Sequence, residues 1–208
     1  LPGFPIVSEE TVDTVRPDAV FILLDPLDGT REFLAGGDSY CVAIAAVVDG
    51  RPIAGAIAAP ALGRLWYGGE HAYARDFSAD GTLLGPEKRV HVRAVPEGGP
   101  VVLVSRFHGD GRSDGITASL CSGKGVPMSS AVKFGLIASG EADLHVRCGQ
   151  TMEWDTAAGD AILSAAGGIV LTLDGAVPHY GRVDRQFRNP PFVAASSEGL
   201  ARRAIAGG

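Results

Sequence analysis

The sequence has 208 residues, of which 46% are hydrophobic and 20% are charged. This balance is typical of one soluble globular domain and excludes a disordered or fibrous chain. Eighteen Lys and Arg residues stand against 24 Asp and Glu residues, which gives a net charge of -6. Because no basic run is long enough to neutralise a phosphate backbone, a nucleic acid duplex is excluded as a partner.

The hydropathy and cysteine patterns bear on the compartment in which the protein works. The longest purely apolar run, residues 41–48, is far shorter than the ~18 residues of a transmembrane segment. No signal peptide opens the chain. Cys41, Cys121 and Cys148 are widely spaced, so we expect free thiols rather than a disulfide framework or a zinc site. We therefore expect a cytoplasmic protein, with peripheral association at the inner membrane left open.

Strands are predicted for most of the first half of the chain. Leu1 is followed by an apolar stretch with no preceding element to pack against it, so we expect an N-terminal segment to be missing. Apolar runs predict buried strands at residues 20–24, 40–48 and 53–58. Asp49-Gly50 predicts a hairpin turn between the last two. Shorter strands are predicted at residues 64–67, 71–74, 90–95 and 101–105.

Helices alternate with strands in the second half. We expect Ser129 or Ser130 to cap a helix over residues 131–138 that ends near Gly140. Residues 155–166 predict another helix, with an acidic start and Gly167-Gly168 at its end. Strands at residues 142–147, 169–173 and 192–195 and a short helix from Glu198 complete a mixed α/β sandwich.

An acidic turn follows the first long predicted strand, at Asp25-Pro26-Leu27-Asp28-Gly29-Thr30. A proline constrains this turn and a glycine lets the backbone approach a ligand closely. Asp25 and Asp28 are therefore placed to converge on hard cations, while the N–H groups of Gly29 and Thr30 face an anion. The alternative is an Asp-rich turn in which each carboxylate accepts hydrogen bonds from its own backbone.

Two further acidic positions favour a metal site. Glu9 follows an apolar stretch and can lend a carboxylate to the same metals, although a Glu pair such as Glu9-Glu10 is usually solvated. Asp155 opens a predicted helix, where capping of that helix is the alternative role. Four acidic groups at three separate chain positions together predict a two-metal site.

Three strings resemble the signature motifs of the inositol monophosphatase superfamily of magnesium-dependent, lithium-sensitive phosphatases. They are Pro5-Ile6-Val7-Ser8-Glu9-Glu10, Asp25-Pro26-Leu27-Asp28-Gly29-Thr30-Arg31-Glu32-Phe33 and Trp154-Asp155-Thr156-Ala157-Ala158-Gly159. Within that superfamily, the string at residues 30–33 most resembles the bacterial 3'(2'),5'-bisphosphate nucleotidases of the CysQ type. Similar strings of that subgroup stand at residues 129–134, at Ser105-Arg106 with His108, and at residues 187–192.

The resemblance implies a fold of the α/β (α+β) class, a layered αβαβα sandwich, and a site for two or three Mg²⁺ ions. Glu9, Asp25 and the carbonyl of Leu27 would hold one ion. Asp25, Asp28 and Asp155 would hold a second, so that Asp25 bridges the pair. The helical N-terminal portion that the resemblance also implies is missing from the chain, which would leave apolar sheet surface exposed.

The resemblance also implies catalytic roles around the bound phosphate. The hydroxyl of Thr30 and the carboxylate of Glu9 would orient and deprotonate a water molecule, with Asp25 as the third catalytic residue. The amides of Gly29 and Thr30 would hold the phosphate. The water would be the nucleophile, so no covalent phospho-enzyme is expected.

A second set of residues is expected to bind the rest of the substrate. Lys133, which follows Ser130 at the start of a predicted helix, and Arg147, on a predicted strand, are candidates for binding a second phosphate. Their alternative role is ordinary salt bridging at the surface. His108 is a further candidate on the nucleoside side, with an exposed loop histidine as the alternative.

These features predict one phosphatase domain over residues 1–208. Residues 1–105 would form its metal- and phosphate-binding half and residues 106–208 its substrate-binding half. The expected reaction converts adenosine 3',5'-bisphosphate to AMP and phosphate, with 3'-phosphoadenylyl sulfate as a further substrate and a place in sulfur metabolism. The alternatives are an inositol or other sugar monophosphatase and a catalytically silent binding module. The protein is expected to be a monomer or homodimer.

Overall fold

A computed structural model describes residues 3–107, 109–121 and 125–207 of the chain. Its first sheet has seven strands that neighbour each other in chain order. The strands are β1 (Ile6–Ser8), β2 (Val20–Asp28), β3 (Cys41–Val48), β4 (Arg51–Ala59), β5 (Arg64–Gly68), β6 (Ala72–Phe77) and β7 (Leu83–Arg89). β1 runs parallel to β2, and the other neighbours are antiparallel. The predicted hairpin is confirmed, because Asp49 and Gly50 both have positive φ, as a tight two-residue turn requires.

The second sheet has five strands in the order β11, β12, β10, β8, β9. The strands are β8 (Val102–Ser105), β9 (Val126–Met128), β10 (Leu144–Arg147), β11 (Ile169–Thr172) and β12 (Phe192–Ala195). The central strand β10 pairs in parallel with β8 and antiparallel with β12. Because β10 is central, all four of its residues are buried, and its last residue ends at the edge of the cavity described below.

Five α-helices accompany the two sheets in the part of the chain that the structure describes. They are α1 (Thr30–Leu34), α2 (Gly111–Leu120), α3 (Val132–Ala138), α4 (Ala157–Ala165) and α5 (Glu198–Ala206). Short 3₁₀ turns lie at Pro60–Leu62, Glu153–Asp155 and Val183–Arg185. None of the helices within the described residues is both long and apolar enough to cross a membrane.

The helices pack in layers around the sheets. α4 lies against β3 to β6 of the first sheet and against β11 of the second, and α3 contacts β4, β10 and α4. Small residues allow this close approach: a Cβ at Gly55 would lie 2.5 Å from the Ala158 carbonyl oxygen, and one at Gly159 would overlap the Phe134 ring. α2 and α5 contact each other and the second sheet. The result is the predicted layered α/β sandwich.

The face of the first sheet that points away from α4 is apolar. Along β3, the buried residues Cys41, Ala43, Ala45 and Val47 alternate with outward-facing residues that are half-buried or exposed. The exposed fraction of Val42 on that face is 39%. The period of two in β3 thus places apolar side chains on both faces of the sheet.

Several predicted elements differ from the structure. The strand predicted at residues 90–95 is wrong: the first sheet ends with β7, and Val92 donates instead to the Ala166 carbonyl at the end of α4. β7 escaped prediction because every residue along it is exposed, so it shows no apolar alternation. α1, β9 and α2 were not predicted, and α2 contains two glycines and several hydroxyl residues that disfavour a helix.

Two helix starts are also corrected. α3 begins at Val132 with Ala131 at its N-cap and no side-chain cap, where Ser129 or Ser130 was expected. α4 begins at Ala157, and Asp155 belongs to a separate 3₁₀ turn before it. Ser129, Ser130 and Asp155 line the cavity instead. Ser129 and Ser130 contact Glu32 and Ser39, and Asp155 accepts from the Met152 N–H.

Candidate active site

A cavity of about 330 Å³ opens where the end of β2 faces α3 and the end of β10. Every site residue predicted from the sequence, apart from His108, lines this cavity. They are Glu9, Asp25, Leu27, Asp28, Gly29, Thr30, Ser130, Lys133, Arg147 and Asp155. His108 lies outside the described residues. The fold therefore brings together residues that are up to 146 positions apart in the chain.

The acidic turn at the end of β2 is shaped by its own backbone. The Leu27 N–H donates to Asp25 Oδ1 at 2.9 Å, and the Thr30 hydroxyl donates to the Leu27 carbonyl at 3.2 Å. The pairing of β2 with β3 is irregular between Asp25 and Asp28, which lets both carboxylates reach the cavity. Gly29 has φ +90°, a conformation that other residues rarely adopt, and α1 begins immediately after it.

Backbone N–H groups also orient the other two aspartates of the site. The Ala131 N–H donates to Asp28 Oδ2 at 2.5 Å, and the Met152 N–H donates to Asp155 Oδ2 at 2.7 Å. Both donors come from segments far from the acidic turn in sequence. The carboxylates of the cavity are therefore positioned by three different parts of the chain.

The electrostatics of the three aspartates indicate a place for a cation. Burial, followed by repulsion from Asp28, raises the pKa of Asp25 to about 7. Burial also raises the pKa of Asp28, and burial with Asp28 beside it raises that of Asp155 well above its usual value. Asp25 and Asp155 also repel each other, which adds to the rise in the pKa of Asp155. A cation bound between these carboxylates would remove the repulsion.

The donor set fits a hard divalent cation. Carboxylate and carbonyl oxygens are the ligands that Mg²⁺ prefers, and Asp25, Asp28, Asp155 and the Leu27 carbonyl supply them at one end of the cavity. Glu9 is exposed, and its charge contributes to raising the pKa of Asp25. Among the described residues, however, no three His, Cys, Asp or Glu side chains are already arranged to hold a metal ion. Binding therefore requires some of these carboxylates to turn toward a common point.

Lys133 is a buried residue of the cavity wall, on the side that α3 provides. Its ammonium group donates to the Ser130 carbonyl at 2.7 Å and to the Met128 carbonyl at 3.3 Å. Burial lowers the pKa of Lys133 to about 8, and the nearby charge of Asp28 limits that decrease. Because an ammonium group has three N–H donors, one remains to face the cavity.

Ser130 and Arg147 form further parts of this side. Ser130 has φ +56°, which is unusual for a residue other than glycine, and its hydroxyl donates to the Ser39 carbonyl at 2.7 Å. Arg147 ends β10 and donates to Ser105 Oγ and to the Gln150 carbonyl, each at 3.2 Å. Burial lowers the pKa of Arg147, against the opposing effect of Asp110.

Glu32 and Arg106 are among the cavity-wall residues that were given no role of their own in the sequence analysis. Glu32 in α1 is only 1% exposed, and its carboxylate forms a 2.6 Å ion pair with Arg106. Burial alone would raise the pKa of Glu32, but hydrogen bonding from Ser129 and the charge of Arg106 outweigh it and lower that pKa. A glutamate between Arg31 and Phe33 gives no signal of burial in the sequence, because charged residues of short helices are usually solvated.

The comparisons with known proteins agree with this fold. A family model described as the inositol monophosphatase family matches residues 1–206. The chain therefore belongs to the inositol monophosphatase family.

Several curated relatives carry a narrower name. The chain is 34% identical to the 3'(2'),5'-bisphosphate nucleotidase CysQ of Salmonella typhimurium, over 92% of this chain and 75% of that protein. It is 35% identical to the protein of the same name from Buchnera aphidicola, over 94% of this chain and 72% of the relative. The crystal structure of CysQ from Bacteroides thetaiotaomicron superposes with a TM-score of 0.78 at 29% identity, covering 93% of this chain and 77% of that one.

Proposed function

We propose that the protein is a Mg²⁺-dependent phosphomonoesterase that converts adenosine 3',5'-bisphosphate to AMP and phosphate, with 3'-phosphoadenylyl sulfate as a second substrate. The observation that carries this proposal is the cavity of about 330 Å³, whose lining includes both the buried aspartates and the cationic residues Lys133 and Arg147. Such a cavity offers one subsite for the scissile phosphate and another for a second anionic group. Identity to relatives named 3'(2'),5'-bisphosphate nucleotidase supports the choice of substrate.

The acidic side would hold two or three Mg²⁺ ions. Glu9, Asp25 and the Leu27 carbonyl form one ligand set, and Asp25, Asp28 and Asp155 form the other. When bound, such ions lower the pKa of water and neutralise the charge that develops on a leaving oxygen.

The chain's own residues would carry the remaining steps. The N–H groups of Gly29 and Thr30 hold the phosphate, and the hydroxyl of Thr30 orients the attacking water molecule. Glu9 accepts a proton from that water as its oxygen bonds to phosphorus. The bond between phosphorus and the 3'-oxygen then breaks, and the 3'-oxygen takes a proton from solvent. No covalent bond to the protein forms.

The cationic side would bind the second phosphate. Lys133 has one N–H donor left for it, and Arg147 is held at the cavity by Ser105 and Gln150. The Ser130 hydroxyl lies between the two sides. Ionised donors of this kind form the stronger hydrogen bonds to phosphate. In this proposal residues 1–105 serve mainly the reacting phosphate and residues 106–208 the rest of the substrate.

The test is phosphate release by the intact protein with Mg²⁺, from adenosine 3',5'-bisphosphate and from inositol 1-phosphate at equal concentration, with and without millimolar lithium. Preferential, lithium-sensitive release from the nucleotide is expected. Preference for inositol 1-phosphate would keep the metal site and overturn the substrate. No Mg²⁺-dependent release from either compound would favour a catalytically silent binding module. A location in the cytoplasm and a monomeric or homodimeric state remain predictions.

A further inference from the structure

Glu32 is a buried carboxylate that the proposed reaction does not use. It lies in α1, two residues after Thr30, and accepts hydrogen bonds from Arg106 Nη1 and Ser129 Oγ, each at 2.6 Å. Ser39 lies nearby and helps to lower the pKa of Glu32. The following turn folds closely around it, because a Cβ on Gly37 would overlap the Glu32 carboxylate.

The partners of Glu32 belong to the segment that orients Asp28. Ser129 is two residues before Ala131, whose N–H donates to Asp28 Oδ2 at 2.5 Å. Ser130 between them has a positive φ, and its hydroxyl is held by the carbonyl of Ser39. The Ser39 hydroxyl also accepts from the Ser129 N–H at 3.4 Å, so Ser39 holds the same segment. A continuous set of hydrogen bonds and one short loop connects the Glu32 carboxylate to the Asp28 carboxylate.

We propose that Glu32 is a positioning residue of the cation site: by holding the Ser129 hydroxyl it fixes the loop whose Ala131 N–H orients Asp28. This inference rests on the proposed function, because it assumes that Asp28 is a cation ligand. Partners outside the ligand set orient metal ligands in this way, and their loss typically costs about 10–100-fold in metal affinity or activity.

Glu32→Gln is the sharpest variant because it keeps the shape of the side chain. The two carboxylate oxygens accept from Arg106 and Ser129, whereas a Gln amide presents N–H donors to one of these two partners. The mismatch would loosen the segment from Ser129 to Ala131. Ser129→Ala is a milder variant that removes one hydroxyl and leaves the ion pair with Arg106 in place.

Asp143 offers a matched control. It is a fully buried carboxylate that accepts two 2.8 Å hydrogen bonds from Arg93 and one from the Val101 N–H. It does not line the cavity. Asp143→Asn therefore disturbs a buried ion pair of the same kind at a place that has no contact with the proposed cation ligands.

The experiment is calorimetric titration of the intact protein with Mg²⁺ in the presence of inorganic phosphate, with thermal unfolding of each variant recorded in parallel. Glu32→Gln is expected to weaken Mg²⁺ binding by about tenfold, and Ser129→Ala is expected to weaken it by a smaller factor. Asp143→Asn is expected to lower the unfolding temperature and to leave Mg²⁺ binding unchanged. Steady-state kinetics should show a lower kcat for Glu32→Gln with little change in KM.

The outcomes separate this inference from the proposed function. Wild-type Mg²⁺ affinity in Glu32→Gln, or an equal loss in Asp143→Asn, overturns the positioning role alone. If Glu32→Gln does not fold, the result for Ser129→Ala decides in the same way. If the wild-type protein binds Mg²⁺ but hydrolyses no bisphosphate, the proposed substrate fails while the titrations still decide the role of Glu32. Absence of Mg²⁺ binding by the wild-type protein overturns both.

Discussion

The two sides of the cavity are built in different ways. Three groups of the acidic side, Asp25, Leu27 and Asp28, lie within four residues of the chain, and the backbone of the same turn orients the first of them. The cationic side takes Lys133 from α3, Arg147 from β10 and Arg106 from the segment after β8. Arg106 is held by Glu32, 74 residues away, and Arg147 by Ser105, 42 residues away. Local turn chemistry therefore brings Asp25, Leu27 and Asp28 together and orients Asp25, whereas tertiary contacts assemble the cationic side.

The two sides also differ in the partners that their buried charged groups have. On the acidic side, like charges are crowded together, and their pKa values rise. On the cationic side, Lys133 loses solvent but gains two carbonyl acceptors and the nearby charge of Asp28. Lys133 in turn limits the rise in the pKa of Asp28, but Asp25 and Asp155 still repel Asp28, and a bound cation would supply the remaining counter-charge.

The largest effect is expected from removing one charge on the acidic side. Asp28→Asn keeps an oxygen that can accept from the Ala131 N–H but removes a cation ligand charge. Loss of about 4 kcal/mol of transition-state stabilisation would lower kcat/KM by about 1,000-fold. Phosphate release at saturating Mg²⁺ measures this change.

The fold of Asp28→Asn is expected to survive, which thermal unfolding and circular dichroism can check. Removing the Asp28 charge also relieves repulsion on Asp25 and Asp155, so the metal-free variant should unfold at no lower temperature than the wild type. A substantially active Asp28→Asn protein would contradict the assignment of two metal ions to this site. It would also contradict the assignment of cation binding to the acidic side.

A smaller and more selective effect is expected on the cationic side. Lys133→Met removes a charged donor that we assign to the second phosphate, and hydrogen bonds to charged groups contribute about 1.5–3 kcal/mol. The kcat/KM for adenosine 3',5'-bisphosphate should fall by about 10–100-fold. The value for inositol 1-phosphate should change much less, because that compound has no second phosphate.

Lys88→Met is the control for Lys133→Met, since Lys88 lies on the exposed strand β7. It should leave both substrates unaffected. Equal losses on both substrates in Lys133→Met would show that this lysine serves the acidic side instead, as a counter-charge to Asp28. Lys133 in α3 would then belong to the acidic side of the cavity.

The smallest effect concerns stability at a buried carboxylate just beyond the cavity. Asp160 lies in α4, five residues after Asp155, and accepts hydrogen bonds from the hydroxyls of Tyr180 and Ser164. Burial raises the pKa of Asp160 to about 6. A pKa raised on folding adds stability below the unfolded pKa near 4, and that stability is lost as the pH rises through about 6.

Asp160→Asn should remove this pH dependence. The difference in the free energy of unfolding between the variant and the wild type is expected to change by up to about 3 kcal/mol between pH 4 and pH 7.5, with the variant relatively more stable at the higher pH. Urea unfolding across that range measures it. A difference that does not vary with pH would mean that Asp160 titrates alike in the folded and unfolded chain.

The strands and helices that could be predicted from the sequence share a strong local pattern. β3 is a continuous apolar run ended by Asp49-Gly50, and α4 has small apolar residues ended by two glycines. β7 and α2 lack such a pattern, because every residue of β7 is exposed and a polar, glycine-containing segment forms α2. Their structures depend on pairing with β6 and on packing against α5, which local sequence does not record.

The sequence alone determined the acidic turn from Asp25 to Thr30. It also determined that the carboxylates of this turn lie in one site. A proline, a glycine and self-contacting aspartates shape that turn within a few residues. The roles of Glu32 and Arg106, and the orientation of Asp28 by Ala131, were decided only by the tertiary structure. The physical reason is distance: a buried ion pair and a backbone N–H become partners of a carboxylate only when segments about 70–100 residues away pack against it.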